Sequence, residues 1–280
     1  MQAARASVRG LFALAAFTVA SCSPASDVPA GNASTLPLVP YFRELKSTPV
    51  TVDGQEFRFL VDTGGGRTAV SPELAARIGC RPDGRDVGYR MTGEAVAFQL
   101  CDSLAAAASG HAIRLEPVAV LDVNSLLPPE LPRLDGILAL DAFRGHAIGI
   151  DWKGGELTVR TSPSRPSAED GAVPLRFATG ENGAALTVLL PVQGVGRRLW
   201  FLLDSGNIQG TLIGRHVAQE GRVALSADGN AELAVGGRPP VKLPVVVGDI
   251  NYDGVLGTEY LLTAPVTLDL RSAPGSEAAR

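Results

Sequence analysis

Residues Phe57 to Val70 read FRFLVDTGGGRTAV. Five mostly apolar residues, Phe57 to Val61, form a run of the kind that belongs in a core strand, yet the run ends on Asp62, followed by Thr63 and three glycines. A carboxylate in that position caps a turn, binds something or does chemistry, and one copy does not separate these. The chain holds a second copy. In LWFLLDSGNIQGTLI, Leu199 to Leu203 lead into Asp204, Ser205 and Gly206.

Aligning Asp62 with Asp204 brings further features into line. Each aspartate is preceded by strand, turn and strand, with Asp53-Gly54 as the first turn and a Gly-rich segment as the second. After each comes a short segment with Thr68 or Thr211, then a helix. The first has Ser71 as N-cap, Pro72 at the first helical position and Gly79 beyond its end; the second, GRHVAQEG, is shorter. Further on, Asp135-Gly136-Ile137-Leu138 matches Asp253-Gly254-Val255-Leu256, and Asp151 in IGIDW matches Asp269 in VTLDL. From aspartate to Asp-Gly is 73 residues in the first half and 49 in the second, so the second half repeats the order with shorter loops. Between them lies 161–171, TSPSRPSAEDG, with the composition of a linker.

The chain has 280 residues, 45% of them hydrophobic, which suffices for a sizeable core; 32 glycines and 20 prolines favour a turn-rich β protein. Residues 1–21 carry Arg5 and Arg9, no acid, and the apolar run LFALAAFTVA, and read as a signal peptide. Val19-Ala20-Ser21-Cys22 resembles the bacterial lipobox, in which Cys22 becomes a lipidated N-terminus in the cell envelope, facing the periplasm or exterior; the alternative is an ordinary signal peptide with a chance cysteine. The organisation expected is 1–21 signal peptide, 22–35 tether, 36–160 first lobe, 161–171 linker, 172–272 second lobe and 273–280 tail. Without Arg5 and Arg9 the 25 basic residues fall to 23 against 29 acidic ones, so nothing favours nucleic-acid binding. Cys80 and Cys101 remain, either a disulfide at the base of a hairpin or two buried thiols.

Two carboxylates brought face to face by such a repeat cannot both ionise cheaply. One retains a proton, and the pair then holds a base and an acid in one place. With Asp62-Thr63-Gly64 and Asp204-Ser205-Gly206 as two D-[TS]-G motifs, and Ile137-Leu138-Ala139 and Val255-Leu256-Gly257 as the later strands, the chain resembles the pepsin and retropepsin type of aspartic protease. The first half is similar to bacterial retropepsin-like domains through FLVDTG, SPELAARIG, DGILALDAF and IGIDW. The likeness spans about Leu36 to Leu270. It implies an all-β fold of two pseudo-symmetric lobes of closed-barrel type with short helices, and a monomer that is an intramolecular pseudo-dimer, the rival being a homodimer of two Asp62 loops. It implies a polypeptide substrate, no cofactor and no metal. Asp62 and Asp204 would activate a water, Thr63 and Ser205 would bond across the lobe junction, and Gly64 and Gly206 would offer N–H groups to the carboxylates. GYRMTGEAV would be a flap, with Tyr89 and the tip residues Thr92 and Gly93 against substrate, and its counterpart would lie around Ala227 to Asn230.

Two departures from the family pattern stand out: Gly65-Gly66-Arg67 follows D-T-G where a small residue and a hydroxyl are usual, and Ala139 replaces a glycine. An inward Arg67 would lower a carboxylate pKa and oppose proton sharing, which keeps open a catalytically inactive, peptide-binding envelope lipoprotein of the same fold. Other motifs carry less. Gly64 to Ala69 matches G-x-G-x-x-A, but the surroundings are hairpins, not βαβ units. His111, His146 and His216 are scattered with no metal-binding spacing, no G-x-S-x-G is present, and Asp135, Asp141, Asp151, Asp253 and Asp269 read as turn and strand-edge residues.

Overall fold

A computed structural model describes residues 33–161, 173–180 and 183–275. The expected signal peptide and Cys22 lie outside the described residues, as do most of the linker and tail. Among the described residues no helix is long and apolar enough to cross a membrane.

In the first lobe, Leu45–Val52 and Gln55–Val61 form a hairpin closed by Asp53 and Gly54, both in the left-handed region at φ 48° and 76°, the turn that suits a two-residue hairpin. The second strand starts exposed and finishes with Phe59, Leu60 and Val61 buried, so the chain enters the core as it nears Asp62. There it pairs in parallel with Gly136–Leu138, in the register Phe59–Gly136 to Val61–Leu138. The second lobe repeats this pairing: Arg198–Leu203 runs parallel to Gly254–Leu256 in the register Phe201–Gly254 to Leu203–Leu256. Ala69–Val70 and Thr211–Gly214 flank those later strands on the other side, both antiparallel.

The matched Asp-Gly pairs owe their identity to this pairing. Arg58 N–H donates to Asp135 Oδ2 at 2.8 Å and Trp200 N–H to Asp253 Oδ2 at 2.9 Å, so both aspartates tie down their strands. A side chain at Gly136 or Gly254 would strike the ring of Phe59 or Phe201 beneath it.

The helices follow the same order. Ser71 Oγ accepts from Leu74 N–H at 3.1 Å, Pro72 begins the Pro72–Arg77 helix, and Gly79 follows it at φ 71°; Arg215–Gln219 is the shorter counterpart.

The lobes are curled half-barrels, one sheet of ten strands and one of seven, and the strand order of each runs from edge to edge without closing. A third sheet of four strands is shared: Ala33–Pro37, Glu156–Arg160 and Ala147–Asp151 from the first half, and Val266–Asp269 from the second. Ala33 to Thr35, expected in the tether, are therefore strand. The last strand of the second lobe pairs with the first lobe: Ile148 faces Leu268, Gly149 faces Thr267 and Ile150 faces Val266. Since Asp151 matches Asp269, Gly149 matches Thr267, so a local twofold passes between two residues that the repeat itself equates. One continuous core, with Trp152, Phe59, Phe143 and Phe201 fully buried, runs from this sheet into both lobes.

Candidate active site

The strands ending at Val61 and Leu203 bring the two catalytic candidates together. Asp62 N–H donates to Leu138 O and Asp204 N–H to Leu256 O, each at 3.0 Å, which fixes both aspartates at the same step of the same pairing. The two carboxyl groups hydrogen-bond to each other. Gly64 N–H donates to Asp62 Oδ1 and Gly206 N–H to Asp204 Oδ1, both at 3.0 Å.

Thr63 and Ser205 interlock beneath them, both buried. Thr63 N–H donates to Ser205 Oγ at 3.0 Å and Ser205 Oγ to Val61 O at 2.8 Å; reciprocally, Ser205 N–H donates to Thr63 Oγ1 at 3.0 Å and Thr63 Oγ1 to Leu203 O at 2.8 Å. Each hydroxyl both accepts from and donates to the backbone of the opposite lobe, so neither loop can shift alone.

The three consecutive glycines have separate causes. A Cβ at Gly64 would lie 2.6 Å from Asp204 Oδ1, and one at Gly65 2.9 Å from Asp62 Oδ2, while Gly66 sits at φ 72°. Gly206 mirrors Gly64, since a Cβ there would lie 2.5 Å from Asp62 Oδ1. Each carboxylate thus packs directly on the opposite loop's backbone.

The electrostatics divide the pair. Burial, followed by the negative charge of Asp62, raises the Asp204 pKa well above the usual carboxylate range. Burial also raises Asp62, but the hydrogen bond from Asp204 and the backbone N–H groups of Gly64, Gly65 and Gly206 work against it. The pair therefore holds one proton between its two carboxyl groups, and burial together with the charge of Asp62 favours keeping it on Asp204.

Arg67 is turned to other partners. Its guanidinium donates to Pro117 O at 2.9 Å, stands 3.8 Å from Asp86 Oδ2, and lies over the Phe98 ring at 5.7 Å. Ala139 is accommodated in extended backbone, its N–H donating to Thr68 Oγ1 at 3.0 Å.

Asp141, read from sequence as a turn residue, proves to be part of the site's support. Both of its oxygens accept from Thr68 N–H, at 2.9 and 3.0 Å, and Thr68 Oγ1 donates to it at 2.6 Å, which holds the far end of the Asp62 loop. Its counterpart in the repeat is Glu259, whose Oε2 is buried without a hydrogen-bond partner among the described residues. The signal was present in LALDAF and GTEYL, where an acid follows Ala139 and Gly257 by two positions.

Above the dyad, Asp83–Tyr89 and Ala95–Cys101 form the flap hairpin. The cleft beneath it has a volume of about 530 Å³ and is lined by both aspartates, by Tyr89 and Thr92, and by apolar side chains including Leu60, Phe98, Leu121 and Ile137. Gly93 does not line it; at φ 86° its Cα turns toward Asn251 of the other lobe. Cys80 and Cys101 are joined in a disulfide, with Cα atoms 5.9 Å apart, linking the end of the first helix to the base of the flap. The turn at Ala227 to Asn230 is closed by its own hydrogen bonds, among them Ser226 N–H to Asn230 O at 2.9 Å.

The histidines are less scattered than their spacing suggests: His111 packs edge-on against His146 with ring centroids 4.9 Å apart, and stacks on Phe143. Neither ring lines the cleft. Among the described residues, no three His, Cys, Asp or Glu side chains are grouped to hold a metal ion.

Residues 48–142, which include Asp62, the flap and Asp141, match the model of an aspartyl protease family. The crystal structure of basic 7S globulin from soybean is similar at TM-score 0.52 and 10% identity, over 85% of this chain and 92% of that one. The chain has an aspartic-protease-like fold. The family match lies wholly in the first lobe and the structural one extends over both. A comparison with curated proteins gave no match.

Proposed function

We propose that the protein is an aspartic endopeptidase. The observation that carries this reading is the hydrogen-bonded pair of carboxyl groups, Asp204 buried and Asp62 half-buried, one from each lobe, at the floor of a cleft roofed by a hairpin. A peptide in the cleft would present its carbonyl to a water held between Asp62 and Asp204. Asp62, charged, accepts a proton from that water as its oxygen attacks the carbonyl carbon, while Asp204 donates its proton to the carbonyl oxygen. The tetrahedral diol collapses as the proton on Asp62 passes to the amide nitrogen and the C–N bond breaks; a hydroxyl proton of the diol returns to Asp204. The dyad ends with one proton, as it began. The orientation of Arg67, held by Pro117 O and Asp86, favours this reading over an inactive dyad.

The deciding experiment is a peptide-library digest by wild type, Asp62→Asn and Asp204→Asn, with and without chelator. Cleavage by wild type that is indifferent to chelator and lost in both variants is expected. Cleavage should fall as the pH rises and the pair loses its remaining proton. No cleavage by a folded wild type over a broad pH range would replace the peptidase with a peptide-binding protein of the same fold. We further propose a bacterial envelope location through lipid on Cys22, tested by whether Cys22→Ala releases the protein from membrane fractions; retention of the variant on membranes would reject the anchor.

A further inference from the structure

The repeat builds an apolar recess on each side of the dyad, and the two are occupied differently. In the first lobe Leu60, Ile137 and Ala69 lie side by side across three neighbouring strands; in the second, Leu202, Val255 and Leu212 occupy the equivalent positions in the same pairing. The first set lines the cleft together with Phe98 and Leu121, and Leu202 and Leu212 of the second line it as well, beside Ile250 and Tyr252. Over the second set, with Ile250 and Tyr252, packs the side chain of Met91 from the flap. The flap is fastened there through its backbone: Asn251 N–H donates to Met91 O at 2.9 Å, and Gly93 abuts the Asn251 side chain so closely that an added Cβ would stand 2.9 Å from Nδ2. The flap turn is itself braced, by Arg90 N–H to Glu94 O at 2.9 Å and Gly93 N–H to Arg90 O at 2.8 Å.

Loop length accounts for the asymmetry. Asp249 to Tyr252 is a four-residue link before Asp253, whereas the first lobe spends Asp122 to Leu134 before Asp135. The long loop adds Val123, Leu126 and Leu127 to the open wall. The short one supplies only Ile250 and Tyr252 to the second recess, and there Met91 of the flap packs beside them.

We propose that Met91 is a specificity-determining residue: its side chain packs over the second lobe's recess and narrows that side, so the cleft takes one bulky apolar side chain, on the first lobe's side, next to a small residue on the other. This rests on the reading of the cleft as a peptide site. It does not require that bound peptide be cleaved. A second bulky side chain would have to displace the packed Met91 side chain, a penalty of the kind that follows overfilling a core.

The test uses three peptides with a reduced, uncleavable central bond flanked by Phe–Ala, Ala–Phe or Phe–Phe, titrated into wild type and Met91→Ala. Wild type should bind at least one mixed peptide about tenfold more tightly than Phe–Phe, and Met91→Ala should abolish that difference. Met91 is the only methionine besides Met1, so a ¹³C-methyl label on methionine reports it directly. Its signal should show contacts to Leu, Ile or Val methyls in the free protein and keep them with the mixed peptide bound. Equal binding of all three peptides by wild type, a preference unchanged in Met91→Ala, no binding of any, or a Met91 methyl without those contacts would each overturn the proposal. If the size preference holds but the corresponding natural peptides remain uncut, the peptidase reading fails and the role of Met91 stands.

Discussion

Gly64 and Gly206 each occupy the only space between one loop and the other lobe's carboxylate, so they set the separation of the dyad rather than merely permitting a turn. Gly206→Ala would push its Cβ into Asp62 and part the carboxyl groups; misplacing reacting groups on this scale lowers kcat/KM by about 100-fold. Steady-state kinetics with a melting curve on the same sample should reveal loss of activity larger than the fall in stability explains. A second expectation concerns Asp204 itself. Its folded-state pKa is raised by burial and by Asp62, so the folded protein holds a proton that the unfolded chain gives up. Stability from this group is full below the ordinary carboxylate range and is lost as the pH climbs through the raised value. Asp204→Asn, which never ionises, should therefore melt higher than wild type near neutral pH, with the difference shrinking as the pH falls. A gain that grew toward acid would contradict the assignment of the proton. Thr68 supplies a third case: Thr68→Val removes the hydroxyl donor to the buried Asp141 carboxylate, and denaturant titration should record a loss of about 1–3 kcal/mol.

The flap hairpin shows what local sequence can and cannot specify. Its place was legible through the resemblance, which puts a flap at Gly88 to Val96 with Thr92-Gly93 at its tip, and its disulfide was legible as one of two alternatives because Cys80 and Cys101 flank it. The disulfide closes a loop across a sequence separation of 21, for which chain-entropy reasoning gives about 3 kcal/mol, so the double variant Cys80→Ser, Cys101→Ser should lose about that much in a denaturant titration, and a reductant should have the same effect on wild type. The direction in which the flap leans was not legible. Met91 reads as one apolar residue in a polar turn, and its packing partners Leu202, Leu212 and Val255 are more than 100 residues away. Asp141 was missed for a related reason: an acid after a short apolar strand is usually a turn residue, and only Thr68, 73 positions earlier, makes it part of the Asp62 loop's support.

At the scale of the whole molecule the repeat foretold two lobes and the shared sheet did not follow from it, because strand pairing between lobes leaves no local trace beyond the apolar alternation that any half-buried strand carries. Ala33 to Thr35 looked like tether, and Val266–Asp269 like the end of a self-contained lobe, until their partners in the first half were known. That sheet puts the pseudo-twofold between Gly149 and Thr267, so both halves of the dyad come from one covalent chain. The rival, a homodimer with two Asp62 loops, makes an opposite demand. If two chains each gave Asp62, the Asp204→Asn variant would stay active; if each site drew Asp62 from one chain and Asp204 from its partner, mixing inactive Asp62→Asn and Asp204→Asn variants would restore a fraction of sites. With an intramolecular dyad, each variant has one damaged centre and no means of sharing an intact one. The mixture should remain inactive over a wide range of protein concentration, and wild-type activity per molecule should not change on dilution. The double variant should be about as impaired as either single one, because a unit that shares one proton is already broken by the first substitution. Recovery of cleavage on mixing would place the working site between chains, in conflict with the hydrogen bonds that lock Thr63 to Ser205 within one.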